Sequence, residues 1–295
     1  MKKAILKDST PLVKALCLLL IMLAGSVIAL LLYSLCGNGG SIGALRFLQS
    51  LQSILIFTVP CIFGAILWSD RPLHWLRLDQ LPSLLPTLLT IALFVCGVPF
   101  VNLLSHCNQQ FVLPESLQAI EEWMRQSEES AHSLTLRFLS GMTYSDLLIN
   151  LLVMAILPAL SEEILFRGTF QSLFGETRHM HTAIWSCAIL FSAIHMQFYG
   201  FIPRLVMGAA LGYMVAWSGS LWLPIIGHAT NNAIAVLSYF VCQHSGIDIT
   251  LADNIGTGES LWLGIVSCVV VVVLIYALRR SLTMSKASSR KSSGN

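Results

Sequence analysis

The chain has 295 residues, of which 55% are hydrophobic and only 11% are charged, and its formal net charge is +2. An ordinary soluble domain has about 25% charged residues, so this composition excludes a soluble globular protein and indicates an integral membrane protein. The small net charge gives no indication of nucleic-acid binding.

The apolar residues are grouped into stretches long enough to cross a membrane. A bilayer core needs about 20 mostly apolar residues per helical crossing, so we predict an all-α, polytopic membrane protein with about eight transmembrane helices. The predicted spans are residues 11–36, 47–68, 84–105, 145–166, 181–199, 203–218, 220–242 and 260–278. The basic start "MKKAILK" would also suit a secretory signal peptide, but the apolar run that follows favours a first crossing because of its length.

Three regions follow from these spans. Residues 1–144 form an N-terminal three-span region, in which "PESLQAIEEWMRQ" predicts an amphipathic helix at the membrane interface that acts as a lid or support. Residues 145–242 form a central region that carries most of the intramembrane polar groups. Residues 243–295 form the last span and a basic, serine-rich tail that we predict to be disordered.

The distribution of lysine and arginine predicts the orientation. Of the 17 lysines and arginines, thirteen fall on the side of both termini and four on the other side, namely Arg46, Arg125, Arg137 and Arg204. Cytoplasmic loops retain positive charge, so we predict that both termini are cytoplasmic.

The fourth span, "LLVMAILPALSEEILFRGTFQSLF", contains Glu162, Glu163 and Arg167. A charged side chain at the centre of a lipid-facing helix costs about 2.5–3.5 kcal/mol, so these three side chains must face protein or water. Glu163 and Arg167 are four residues apart and can form an ion pair on one helix face. Glu162 is rotated by about 100° around the helix axis from Glu163, so this ion pair does not explain why a second glutamate is present.

Two later spans add further polar groups. His195 lies in "AILFSAIHMQFYG", and His228 and Asn232, four residues apart, share one face in "LPIIGHATNNAIAVL". A single polar residue of this kind more often makes a hydrogen bond between helices than serves as a functional group. Together with Glu162 they indicate a site, and counting residues from the turns permits them to meet at similar depth.

These residues resemble the motifs of the CPBP family, which includes the type II CAAX prenyl endopeptidases and bacteriocin-processing and abortive-infection-like relatives. "EEILFR" is similar to the family's E-E-x-x-x-R, "FSAIH" to its F-x-x-x-H and "HATNN" to its H-x-x-x-N. The three occur in the family's order, and the resemblance covers about residues 145–242. Gly208 and Gly212 also fit the family and predict a close approach of helices.

The resemblance implies an eight-helix intramembrane endopeptidase whose CPBP-like catalytic core is residues 145–242. Glu162, with help from His195, would deprotonate a water molecule for attack on the scissile carbonyl. His228 and Asn232 would donate hydrogen bonds to the oxyanion. The side chains that would hold these groups in place are Glu163 and Arg167.

A metal is a separate question, because one glutamate and two histidines are also a zinc ligand set of soluble proteases. The helical H-E-x-x-H spacing is absent from this sequence. We therefore expect no required cofactor, and divalent zinc stays an alternative.

The predicted partners are membrane lipids and a membrane-associated or lipidated peptide or protein, in a bacterial cytoplasmic membrane. Whether the substrate is prenylated, and from which face it reaches the site, stay open. A non-enzymatic protein that binds a peptide, such as a bacteriocin-immunity factor or a scaffold, is the main alternative. The presence of a general base together with two hydrogen-bond donors for an oxyanion favours the enzyme. A transporter has less support, because helices broken at matching positions in two halves are not evident.

Overall fold

The computed structural model describes residues 4–36, 40–141, 143–176 and 179–292, and all regular structure in these ranges is helical. The predicted all-α class is therefore confirmed. The ten longer helices within the described ranges are α1 Pro11–Cys36, α2 Ile42–Trp68, α3 Leu84–Cys96, α4 Val98–Gln109, α5 Gln118–Leu139, α6 Tyr144–Gly175, α7 Met180–Ala193, α8 Phe201–Ser218, α9 Trp222–Ser245 and α10 Leu261–Ser292.

Each predicted span corresponds to a helix or a helix pair. In the described part of the chain, six helical segments are long and apolar enough to cross a membrane, and α3 and α4 form a seventh candidate that is bent by 45°. The bend lies where Gly97 and Pro99 interrupt the sequence, and proline removes a helical hydrogen bond. The chain is therefore a polytopic α-helical membrane protein.

The predicted span at 181–199 is shorter than expected. The helix α7 has 14 residues and ends at Ala193, so it is about 21 Å long at a rise of about 1.5 Å per residue, against the bilayer core of about 30 Å. It ends because Met196 takes a left-handed backbone conformation with φ 54°. The histidine at position 195 therefore lies at the end of a helix and not within one.

The helix α6 carries the glutamates and contains two wide π-helical turns, at Leu151–Ile156 and Ile164–Phe170. In the first, the amide of Leu157 donates to the carbonyl of Leu152, five residues back, just before Pro158. Such turns accommodate proline and are frequent at functional sites. Both flank the Glu162–Glu163 pair.

One buried cluster joins the N-terminal helices to the helices that carry the motifs. It includes Leu18 of α1, Cys61 of α2, Phe166 of α6, Phe191 of α7 and Val215 of α8, all 1% exposed or less. Residues on both sides of position 144 therefore pack into the same core. At the other end of the chain, α10 continues to Ser292, so the helix extends into the segment that the sequence predicted to be disordered. The lysine, arginine and alanine residues of this segment favour a helix.

The predicted close approach at Gly208 and Gly212 is confirmed. Arg167 Nη2 donates to the Gly208 carbonyl at 3.1 Å, and Gln171 Nε2 donates to the Gly212 carbonyl at 3.1 Å. The two donors are four residues apart on α6, and the two acceptors are four residues apart on α8. The missing side chains of the glycines let the two helices come close enough for these bonds.

Gly212→Ala is expected to lower the free energy of unfolding by about 1–3 kcal/mol. The added Cβ would lie 2.8 Å from Gln171 Oε1 and 2.9 Å from Ile184 Cγ2, and the buried Gln171 has little room to move. Unfolding in mixed micelles measures the change. The matched control is Gly175→Ala, whose Cβ would meet no atom within 4 Å. Equal stability of the two variants would contradict this packing.

Candidate active site

Three predicted site residues meet around one carboxylate oxygen. Glu162 Oε2 lies 4.0 Å from His195 Nε2 and 3.9 Å from His228 Nε2. Glu162 comes from α6, His195 follows α7, and His228 lies in the second turn of α9. Separations of this size between polar atoms suit one bridging water molecule, which would make a hydrogen bond to each side.

The hydrogen bond of His195 determines what its other nitrogen can do. His195 Nδ1 lies 2.7 Å from the carbonyl oxygen of Phe191, four residues earlier. A carbonyl only accepts, so Nδ1 carries the hydrogen and donates it. In the neutral ring Nε2 then holds a lone pair, and this lone pair faces Glu162. The ring is fixed further by an edge contact with Phe191, with ring centres 4.9 Å apart.

Behind these groups lies a buried ionic network. Glu163 Oε1 accepts from Arg167 Nη1 at 2.6 Å and from His228 Nδ1 at 2.8 Å, and the side chains of Glu163 and Arg167 are 0% exposed. The Arg167 guanidinium also lies over the ring of Phe191, 4.4 Å from its centre. Arg167 thereby fixes Glu163, and Glu163 fixes His228 so that Nε2 faces Glu162.

This network includes the ion pair predicted from the four-residue spacing, and it explains why two adjacent glutamates differ. Glu163 points into the protein, toward Arg167, whereas the Glu162 side chain is 16% exposed and lines a cavity. The bond between Glu163 and His228 was not predicted, since the sequence had paired His228 with Asn232 alone.

The cavity has a volume of about 560 Å³ and holds all four predicted catalytic residues. Asn232 lies on its wall next to Asn231, whose Nδ2 donates to Asn232 Oδ1 at 3.3 Å. The linker helix α5 also reaches it. Ala131, Leu134, Thr135, Phe138 and Leu139 of this helix line the cavity, and the helix extends further towards the fourth span than the predicted amphipathic segment.

Sequence reasoning missed Arg204 and Gln197, which both line this cavity. Arg204 Nη2 donates to Gln197 Oε1 at 2.8 Å and Nη1 donates to the Gln197 carbonyl at 3.2 Å. The signal was present, because Arg204 is an ionisable residue inside a predicted span. Its guanidinium brings positive charge to a wall shared with Glu162.

In this arrangement the donor atoms lie farther apart than the ligands of a tetrahedral zinc ion. Zinc bonds of about 2.0–2.2 Å to nitrogen and oxygen hold neighbouring ligand atoms about 3.4 Å apart, whereas Glu162 Oε2 is 3.9 and 4.0 Å from the two imidazole nitrogens. Within the described residues, no group of three or more histidine, cysteine, aspartate or glutamate side chains is placed to hold a metal ion.

The fold and this site define a polytopic α-helical membrane protein with a polar site among its spans. Residues 144–234 match the family described as type II CAAX prenyl endopeptidase Rce1-like. The resemblance inferred from the three motifs is therefore confirmed, and the matched segment contains all six predicted site residues. Residues 1–143 and 235–295 lie outside the match.

Among curated proteins, the uncharacterized protein YpbD of Bacillus subtilis (strain 168) is 29% identical over 98 residues. The aligned part is 32% of this chain and 45% of YpbD, so the chain matches less than half of the relative's length. No solved structure matches the chain.

Proposed function

We propose that the protein is an intramembrane endopeptidase that hydrolyses a peptide bond with water activated by Glu162. The observation that carries the proposal is the position of Glu162 Oε2, about equally far from the Nε2 atoms of His195 and His228. The site lies in a cavity formed by membrane helices and the linker helix α5. An ionisable group at this position is costly in a membrane, so it is rare outside functional sites.

The reaction begins with a water molecule between Glu162 and the two imidazoles. Glu162 accepts a proton from the water, and the neutral His195 offers its Nε2 lone pair as a second acceptor. The water oxygen bonds to the carbonyl carbon, and the carbonyl π electrons move to oxygen. When the C–N bond breaks, the amine takes the proton from Glu162, which restores the carboxylate and releases an acid and an amine.

The oxyanion needs donors, and His228 supplies one only as an imidazolium. Its Nδ1 already donates to Glu163, so Nε2 carries a hydrogen only in the protonated ring. The amide of Asn232, on the same cavity wall, is the second donor in this proposal. Loss of one such donor typically costs about 10²–10³-fold in rate.

The proposed substrate is a peptide or a membrane-anchored protein, with or without a lipid group. Apolar side chains of the cavity, including Leu134 and Phe138 of α5 and Met154 of α6, suit an apolar substrate segment. Lipids and this substrate are the proposed partners, with no nucleic acid. The proposed location is a bacterial cytoplasmic membrane with both termini in the cytoplasm.

The test is a cleavage assay with purified wild-type protein and Glu162→Gln, both monodisperse, against a library of fluorogenic and lipidated peptides. Mass spectrometry identifies the products. Cleavage by wild type alone supports the proposal, and the cut site begins to define the substrate. Equal binding of one peptide by both proteins, with no cleavage by either, would favour the peptide-binding alternative.

Removal of metal is expected to leave the activity unchanged. We propose that no metal ion is required, because the ligand separations are too long for tetrahedral zinc. Wild-type protein treated with a chelator and passed through a desalting column should cleave at its original rate, while elemental analysis finds less than stoichiometric metal. A loss of activity that zinc alone restores would overturn this part of the account.

A further inference from the structure

A second cavity, of about 640 Å³, lies at the opposite end of α6 from its first residue, Tyr144. It is lined by Gln171 and Ser172 of α6, by Met180 at the start of α7 and by Arg77 of the connection between α2 and α3. Gln171 is nine residues after Glu162, or about 13 Å along a helix. The proposed active-site residues do not line this cavity, and the proposed peptidase reaction makes no use of it.

Arg77 is held in an unusual backbone conformation at the edge of this cavity. Its φ is 58°, in the left-handed region that favours glycine. Two hydrogen bonds fix it: the Arg77 amide donates to the His74 carbonyl at 3.0 Å, and the Arg77 carbonyl accepts from the Leu221 amide at 2.8 Å. Glycine would adopt this backbone conformation without strain. The presence of arginine here therefore indicates that the arginine side chain has a function.

The guanidinium of Arg77 has no hydrogen bond or ion pair among the residues that the structure describes. It is half-buried, and burial lowers its pKa from the ordinary value. The neighbouring carboxylate of Glu176 is already paired with Lys14, at 3.0 Å. Among the described residues, therefore, no carboxylate forms an ion pair with this cation at the cavity wall.

Two further groups lie at the cavity wall. Ser172 lines the cavity, and its hydroxyl, itself buried, has no hydrogen-bond partner within the described part of the chain. The helix α7 begins at Met180 on the cavity wall, and its capping residue His179 makes no side-chain bond to the first turn. The free amide groups of a helix start carry partial positive charge and favour an anion. Together these groups form a site for a compact anion with several oxygen atoms.

We propose that this cavity binds a phosphate group, with Arg77 as its anchor. A planar guanidinium suits two phosphate oxygens at once. The phosphate can belong to an anionic lipid headgroup or to a soluble molecule. The place of the cavity at the ends of several spans, beside the indole of Trp75, suits the headgroup region of the bilayer.

The experiment uses the full chain in a neutral detergent and follows its thermal unfolding with three additives. These are dioctanoyl phosphatidylglycerol, dioctanoylglycerol, which lacks the phosphate, and inorganic phosphate at constant ionic strength. The variants are Arg77→Gly, which removes the charge and the backbone strain together, and Arg71→Gln, which removes an exposed cation from the same connection.

We expect phosphatidylglycerol to raise the melting temperature of wild type and Arg71→Gln. It should bind Arg77→Gly at least about tenfold more weakly than Arg71→Gln, the factor for losing a hydrogen bond to a charged group. Dioctanoylglycerol should have no such effect. A stabilisation by inorganic phosphate that also depends on Arg77 would support a soluble phosphate compound, and its absence would support the lipid. An equal response of all three proteins, or no response of wild type, would overturn the proposal. None of these readouts requires peptide cleavage.

Discussion

Glu162→Gln and His195→Ala are each expected to reduce kcat for peptide cleavage by about 10³-fold. Glutamine keeps the shape of Glu162 but cannot accept a proton from water. Alanine removes the Nε2 lone pair that faces Glu162 at 4.0 Å. Because both side chains act on one water molecule in the proposed mechanism, the double variant should be little slower than either single variant. Single-turnover kinetics with a cleaved peptide measure all three.

The matched control for this prediction is Glu129→Gln, which removes an exposed carboxylate of α5. It should cleave at the wild-type rate. Substantial cleavage by both Glu162→Gln and His195→Ala would contradict the assigned roles. If the fold reduction in kcat of the double variant equals the two single reductions multiplied together, the two side chains act on separate steps.

Arg167→Met is expected to lower the free energy of unfolding by about 3–5 kcal/mol. The substitution leaves Glu163 as a buried carboxylate whose remaining partner is the Nδ1 of His228 at 2.8 Å, and it also removes the bond to the Gly208 carbonyl. Arg167→Lys should recover only part of the loss, because an ammonium group cannot reach both acceptors as the planar guanidinium does.

The structure offers a matched control for this pair. Glu121 and Arg125 are also four residues apart and joined at 2.6 Å, but the Arg125 side chain is 59% exposed. Arg125→Met should change stability little, since exposed pairs contribute little. Adding Glu163→Gln to Arg167→Met should restore part of the stability by removing the unpaired charge. Equal effects of Arg125→Met and Arg167→Met would contradict the importance of burial.

Local spacing predicted the parts of this site that lie on one helix. Glu163 and Arg167 meet because residues four apart share a helix face, and this holds although a π-helical turn begins directly after Glu163. The close approach of α6 and α8 followed from Gly208 and Gly212 for a similar local reason. Contacts between residues on different spans were harder to predict, because a small change in the length of one helix shifts the position of every residue that follows it.

The end of α7 illustrates that difficulty. Counting along ideal helices placed His195 inside a span, whereas the left-handed turn at Met196 puts it at a helix end, where its ring turns back to the Phe191 carbonyl. The pairing of His228 with Glu163, 65 residues earlier, and the position of Arg204 on the cavity wall also depend on how helices pack. The spacing of residues within one helix does not determine how that helix packs against the others.

The most direct test of the proposed function is to follow the oxygen atom of the attacking water. A peptide cleaved by wild-type protein in water enriched in ¹⁸O should carry one ¹⁸O atom in its new carboxyl group. Over the same time, the Glu162→Gln samples should contain about 10³-fold less labelled product while binding the same peptide. Labelled product at comparable yield from Glu162→Gln would contradict the central claim that Glu162 activates the water.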